Sequence, residues 1–263
     1  MIDTHCHLEQ QIFDEDRKDL ITQLRMKMSA VITDASDPHY YDVTFDMVDK
    51  NRGFLFAVAG IHPEYIGTFS DTEVNEAVNK LKENRHRLVG VGETGLDYAY
   101  IQDESQREQQ RRLFLRFINL GKELSMPIVV HLRNGRDEAD VFDDAFKILR
   151  TSDAHRVHLH MFGCRRLVEE AIGLGYSIST NAIVLHSKTY QKVVRDTPLE
   201  RLMLETDAPW LHPTLDRDKR NDPTHVREVA EKIAEIKRIT VEEVINTTTR
   251  NAVEFYDLKL RDE

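Results

Sequence analysis

The chain has 263 residues, 40% of them hydrophobic, with eleven glycines and seven prolines; this balance excludes a disordered polymer and supplies a large core. A net charge of −10 argues against holding nucleic acid by bulk charge, so an anionic ligand would need a local arrangement of cations. No stretch approaches the roughly 20 apolar residues of a membrane span, the start lacks signal-peptide features, and Cys6 and Cys164 are the only cysteines, so the expectation is a reduced, cytoplasmic protein without a membrane partner.

Along the chain, short apolar runs alternate with longer stretches of helical period. Strands are expected over residues 1–4, 29–34, 55–60, 88–92, 127–131, 157–160, 176–179 and 202–205. Helices are expected over 13–27, 40–50, 72–85, 105–124, 138–149, 166–174 and 188–195, with a turn at Asp37-Pro38 opening the second. A last helix over 241–255 starts after Thr240, with Glu243 placed three residues on for a capping box. Eight strands, each followed by a segment able to form a helix, is the count of a (β/α)8 barrel. A doubly wound α/β sheet is the alternative, and the strand count favours the closed barrel. With no linker, low-complexity tract or repeat, residues 1–263 read as one barrel domain with an extra C-terminal helix.

In such barrels chemistry sits at the C-terminal strand ends. Polar residues fall there. His5 and His7 close the first strand, and alternation puts them on one face with Asp3 while Cys6 points to the other. His62 follows the third strand, Glu93 the fourth and His131 the fifth; His158 and His160 end the sixth, and Asp207 follows the eighth. Singly, each is an ordinary polar cap or, for Asp207, a helix N-cap. Together, imidazoles and carboxylates from several strands converge on one mouth, a donor set suited to Zn²⁺, Mn²⁺ or Mg²⁺. Alternation cannot choose between His158 and His160. His160, nearer the end, is the better ligand, leaving His158 a layer deeper to orient a ligand or fill the barrel.

Several motifs occur in order: Ile2-Asp3-Thr4-His5-Cys6-His7, Gly60-Ile61-His62-Pro63, and Gly92-Glu93-Thr94-Gly95-Leu96-Asp97-Tyr98. They continue through Gln106 to Phe114 with its Gln109-Gln110 pair, Pro127-Ile128-Val129-Val130-His131, Leu204-Glu205-Thr206-Asp207-Ala208-Pro209-Trp210, and Thr249-Arg250-Asn251-Ala252. By these motifs the chain resembles the TatD-type metal-dependent deoxyribonucleases among the amidohydrolase-like barrels. The resemblance implies metal ligands at His5, His7, Glu93, His131, His160 and Asp207, and a substrate-phosphate contact at His62. It also implies 3′→5′ exonuclease action on single-stranded or frayed DNA ends. The chain departs from the family after the sixth strand, where His160-Met161-Phe162-Gly163-Cys164 replaces the usual His-Cys-Phe-(Ser/Thr)-Gly. That loop and its substrate contacts are therefore altered. Asp222 also stands where Glu is common.

Phosphodiester hydrolysis at neutral pH needs an activated water and cations for the developing charge, and two divalent ions (Mg, Mn or Zn) provide both. The expected arrangement puts one ion on His5, His7, Glu93 and Asp207 and the other on Glu93, His131 and His160. Glu93 is then shared, and Asp207 is the general base. Arg133 and Arg136, Arg165 and Arg166, and Arg217, Lys219 and Arg220 follow strands five, six and eight. They suggest a basic lip, with Arg133 and Arg220 reaching the substrate. Tyr98, Tyr100 and Trp210 are either stacking surfaces or packing. Two other readings are an ester, lactone or amide hydrolase of a small metabolite on the same barrel, and a binding protein with a structural metal.

Overall fold

The computed structural model describes residues 1–101, 103–135 and 140–261. Among them are eight parallel strands: β1 (Ile2–Cys6), β2 (Ala30–Ala35), β3 (Leu55–Ala59), β4 (Leu88–Asp97), β5 (Ile128–Arg133), β6 (Val157–Leu159), β7 (Ser177–Thr180) and β8 (Leu202–Leu204). Between them run α1 (Arg17–Arg25), α2 (Tyr41–Lys50), α3 (Asp71–Glu83), α4 (Glu104–Leu124), α5 (Val141–Thr151), α6 (Val168–Gly173) and α7 (Lys188–Asp196). After β8 come α8 (Val226–Lys237) and α9 (Val241–Tyr256). Neighbouring strands pair in parallel in the order β1 to β8. The last seam is drawn together by Thr4 Oγ1 donating to the Leu204 carbonyl at 3.0 Å and the Asp207 N–H donating to the His5 carbonyl at 2.9 Å. The architecture is the expected (β/α)8 barrel with an added C-terminal helix.

The strands read as apolar runs because helices cover their outer faces and side chains fill the inside. Cys6, Val31, Ala57 and Leu159 pack outward with the helices, as alternation predicts for Cys6. A separate apolar cluster of Ile2, Ala30, Ile32, Val58, Val129 and Met203 is joined by Ala252 and Tyr256 of α9. The added helix therefore seals the barrel floor. Thr240 caps it, its hydroxyl accepting from the Glu243 N–H at 3.1 Å.

Several boundaries shift for physical reasons. β1 continues through His5 and Cys6 because Cys6 still pairs with Thr33, and β4 runs five residues beyond Gly92 in register with β5. Polar side chains do not interrupt a ladder made by the backbone. The expected helix over 13–27 starts only at Arg17 because Gln11–Phe13 forms a 3-10 turn; likewise Arg165–Leu167 is a 3-10 turn before α6. Arg136 and the expected helix start at 138 lie outside the described residues.

Candidate metal centre

β4 provides the pivot of the site. Val91 pairs with Ile128 but Thr94 with Val130, so β4 carries one residue more than β5 over this stretch. Such a bulge re-aims a side chain, and here it turns Glu93 into the barrel mouth. Gly92 and Gly95 flank it at φ 138° and 143°. A Cβ at either would collide with the carbonyl of Val129 or His131, so only glycine fits. The Glu93 N–H donates to Asp34 Oδ1 at 2.8 Å, which ties the bulge to β2.

Five imidazoles surround the Glu93 carboxylate. Oε2 lies 3.5 Å from His5 Nε2 and 4.0 Å from His7 Nε2. Oε1 lies 2.7 Å from His131 Nδ1, 3.5 Å from His160 Nε2 and 3.7 Å from His62 Nε2. Asp207 Oδ1 adds a second carboxylate, 3.6 Å from His5 Nε2 and 3.4 Å from His7 Nε2. Asp207 holds a left-handed backbone conformation, φ 59°, fixed by its N–H bond to His5 and by the Trp210 N–H donating to its carbonyl at 2.9 Å. A non-glycine residue in that region marks a position the surroundings impose.

The outer nitrogens of these rings are held by acceptors behind them. His7 Nδ1 meets the Asp34 carbonyl at 2.7 Å, and His160 Nδ1 meets Glu205 Oε2 at 2.9 Å. His5 Nδ1 lies 3.4 Å from Asp34 Oδ2. In each case Nε2 is the atom presented to Glu93, and for His5 and His7 to Asp207 as well, the arrangement by which carboxylates orient metal-binding histidines. His5 Nε2 is buried with no hydrogen-bond partner. Two donors on one cation, each at about 2.1 Å with a tetrahedral angle between them, stand about 3.4 Å apart. The 3.4 to 3.6 Å separations among His5, His7, His160, Glu93 and Asp207 match that spacing and are too long for good hydrogen bonds. These donors fit a divalent cation.

His131 differs. Its Nδ1 hydrogen-bonds Glu93 directly, and its Nε2 lies 3.2 Å from Asp97 Oδ2. Three groups of donor atoms come within 4.8 Å of one another: His5 with Glu93 and His160, His5 with His7 and Asp207, and His62 with Asp97 and His131. The structure thus brings all six expected ligands to one mouth, with His131 bonded to Glu93 through one ring nitrogen and grouped with Asp97 and His62 through the other.

Charge explains the protonation pattern. Burial alone would raise Glu93, but the imidazoles of His62, His160 and His5 hold its carboxyl well below the usual range. Burial is likewise outweighed at Asp207, which His7 and His160 keep low. His160 and His131 feel the opposite balance. Burial opposes their charge, yet Glu205 with Glu93 raises His160 to about 10, and Asp97 with Glu93 raises His131 to about 9. The negative field that holds these protons also favours a divalent cation, which must displace them to bind. His62 is pushed down to about 3 by burial and by His131 beside it. Its Nδ1 accepts from the Glu64 N–H at 3.1 Å, so the proton of the neutral ring sits on Nε2, facing the mouth.

The site forms a cleft of about 350 Å³ whose walls include His7, His62, Glu93, His131, His160 and Asp207, with Arg133, Tyr65 and Trp210 at the sides. Trp210 is 57% exposed and Tyr100 60%, whereas Tyr98 is fully buried under Arg107 and belongs to packing. His158 lies below the cleft, its ring nitrogens 2.6 Å from Tyr256 Oη and Ser179 Oγ.

The expected basic lip is largely cancelled. Arg133 pairs with Asp97 at 2.7 Å, Arg165 with Asp196, Arg166 with Asp140 and Asp143, and Lys219 with Asp216. Arg220 is gripped by both oxygens of Asp16 and lies over the Phe13 ring, outside the residues lining the cleft. The structure does not bring it to the cleft with the other expected site residues, and its charge is paired with Asp16 in the segment leading into α1. Sequence reasoning missed Asp34, Asp97, Glu205 and Glu9, which back His5, His131, His160 and His7. The available signal was acidic residues within or beside otherwise apolar strand runs, a costly placement unless each meets a partner.

Comparison with known proteins agrees with this geometry. The family model for TatD related DNase matches residues 2–257. The human deoxyribonuclease TATDN3 is 32% identical over 274 residues, covering 99% of this chain and 96% of that protein. The uncharacterized metal-dependent hydrolase YabD of Bacillus subtilis is 32% identical over 258 residues, covering 96% of this chain and 97% of its own. Among solved structures, the TatD homolog YJJV of Escherichia coli superposes with a TM-score of 0.87 at 25% identity, covering 98% of both chains. With ligand-spaced imidazoles and carboxylates at the mouth of the matching barrel, this chain belongs to the TatD family of metal-dependent hydrolases.

Proposed function

We propose that this hydrolase cleaves phosphodiester bonds at DNA ends, acting 3′→5′ on single-stranded or frayed DNA with two divalent ions, Mg²⁺, Mn²⁺ or Zn²⁺. One observation carries the reading: a carboxylate reached by five imidazoles, with Asp207 beside it, on the floor of an open cleft. The deoxyribonuclease name of the human relative supports DNA as the substrate class. In this reading His5, His7, Glu93 and Asp207 hold one ion, and Glu93, His131 and His160 hold the other. To serve as a ligand through Nδ1, His131 must give up its hydrogen bond to Glu93.

When bound, the ions lower the pKa of water and offset charge on the phosphoryl oxygens. The protein's own groups do the rest. Asp207, kept ionised by its imidazole neighbours, accepts the proton of the attacking water on a carboxylate oxygen. His62 donates its Nε2–H to a non-bridging phosphate oxygen, a neutral donor that the Glu64 N–H holds in the correct tautomer. Arg133, steadied by Asp97, brings positive charge to the same wall. Trp210 at the rim offers a face for a terminal base.

End-labelled single-stranded DNA incubated with Mg²⁺, Mn²⁺ or EDTA tests the reading. Metal-dependent stepwise shortening from the 3′ end is expected. Intact DNA beside hydrolysis of a chromogenic ester would overturn it in favour of a small-metabolite hydrolase.

A further inference from the structure

A second groove opens beside the catalytic cleft, between α3 and α4. Its volume is about 690 Å³ against about 350 Å³ for the cleft, and Tyr65 lines both. Rings lead from one to the other. His131 and His62 centroids are 4.3 Å apart, His62 and Tyr65 6.5 Å, and Tyr65 and Phe69 5.9 Å. The opposite wall is one face of α4, where Gln109, Arg112 and Arg116 recur at helical spacing. Gln110, next to that face, bonds the Pro63 carbonyl at 2.9 Å and accepts from the Asp97 N–H at 3.1 Å. The groove wall and the catalytic wall are therefore tied together.

Charge separates this groove from the lip. Four of the five described lip arginines, at 133, 165, 166 and 220, are matched by a carboxylate, and Arg217 is the exception. Among the described residues, Arg116 meets only the Asn75 amide, at 2.5 Å, and Arg112 has no ion-pair or hydrogen-bond partner. Asp71 is the one carboxylate lining the groove. Two uncompensated guanidinium groups facing aromatic rings is the chemistry that holds a single nucleic-acid strand, cations tracking phosphates while rings stack bases.

We propose that this groove binds the part of a single-stranded DNA substrate lying beyond the bond being cleaved, so that strand length, and not the terminal nucleotide alone, sets affinity. The proposal rests on the reading of the mouth as a DNA-hydrolysing site and deepens it. It also gives a role to Gln109, in a motif the catalytic chemistry leaves unused.

The test compares the wild-type protein with the Arg112→Gln/Arg116→Gln variant, whose altered side chains lie on a solvent-facing groove. Fluorescence anisotropy in EDTA measures binding of a labelled single strand of about 12 nucleotides. Cleavage of that strand and of a dinucleotide is followed with Mn²⁺. Two lost phosphate contacts predict binding weaker on the order of 20-fold at about 0.1 M salt, and a salt dependence shallower by about 1.4 in log–log slope. Dinucleotide cleavage should be unchanged, so the preference for the longer strand collapses. Equal affinity and equal salt slope in the two proteins would overturn the proposal, as would a wild type that binds dinucleotide and long strand equally well. A wild type that binds the long strand through these arginines yet never cuts it would sink the nuclease reading and leave the groove standing.

Discussion

The two ends of this barrel are built from the same eight strands and do opposite things. At the floor, Ile2, Ala30, Ile32, Val58, Val129 and Met203 meet α9 in a closed apolar plug. At the mouth, two carboxylates and five imidazoles crowd an open cleft, backed by Asp34, Asp97, Glu205 and Glu9. Burying ionisable groups is costly unless they are paired or bind metal, so the mouth is the part that folding alone would not select. β6 and the residue that follows it show both regimes within two residues. His158 is fully buried, occupied at both nitrogens and held well below the usual histidine range by burial, a neutral side chain that fills and orients. His160 faces Glu93 and is held on its outer side by Glu205. Between them, Ser179 bonds both His158 and Glu205, so a hydrogen-bonded column joins floor to mouth.

If function sits at one end and stability at the other, substitutions should separate the two. The largest effect is expected for Asp207→Asn. Losing the proton acceptor should lower kcat by about 10³-fold, within the range for general-base loss, while metal content stays high. Turnover near the wild-type rate would end that role for Asp207. At the floor, Ile32→Ala removes a fully buried side chain. Unfolding in denaturant should show about 2–5 kcal/mol lost. Metal affinity should be unchanged in the folded protein, and a matching loss of affinity would break the division. Smaller again, Glu205→Gln weakens the support behind His160 and should reduce metal affinity by about 10–100-fold in calorimetric titration. If affinity holds and only stability falls, Glu205 belongs with the floor.

The barrel is legible because apolar runs of strand length alternate with helical periods, and the candidate metal ligands because they stand where those runs end. What escaped has physical causes. Glu93 is named by where its apolar run ends, but alternation does not give the direction of its side chain, since the extra residue in β4 breaks the period of two there. Asp34 and Glu205 lie within or next to strands and meet histidines from other strands, contacts that no spacing reveals. The basic residues of the loops read as a positive lip because their partners, Asp16, Asp140 and Asp196 among them, come from distant segments. Helix α9 was expected as a helix, but its place as the floor follows from Tyr256 reaching His158 across 98 residues of sequence.

The central claim is a pair of ions sharing Glu93, and metal stoichiometry tests it most directly. Wild-type protein and Glu93→Gln, stripped of metal and reloaded with Mn²⁺, should be compared by elemental analysis, with circular dichroism confirming that both are folded. The account predicts two ions per wild-type chain and at most one, weakly held, in the variant. Equal occupancy in the two folded proteins would contradict it.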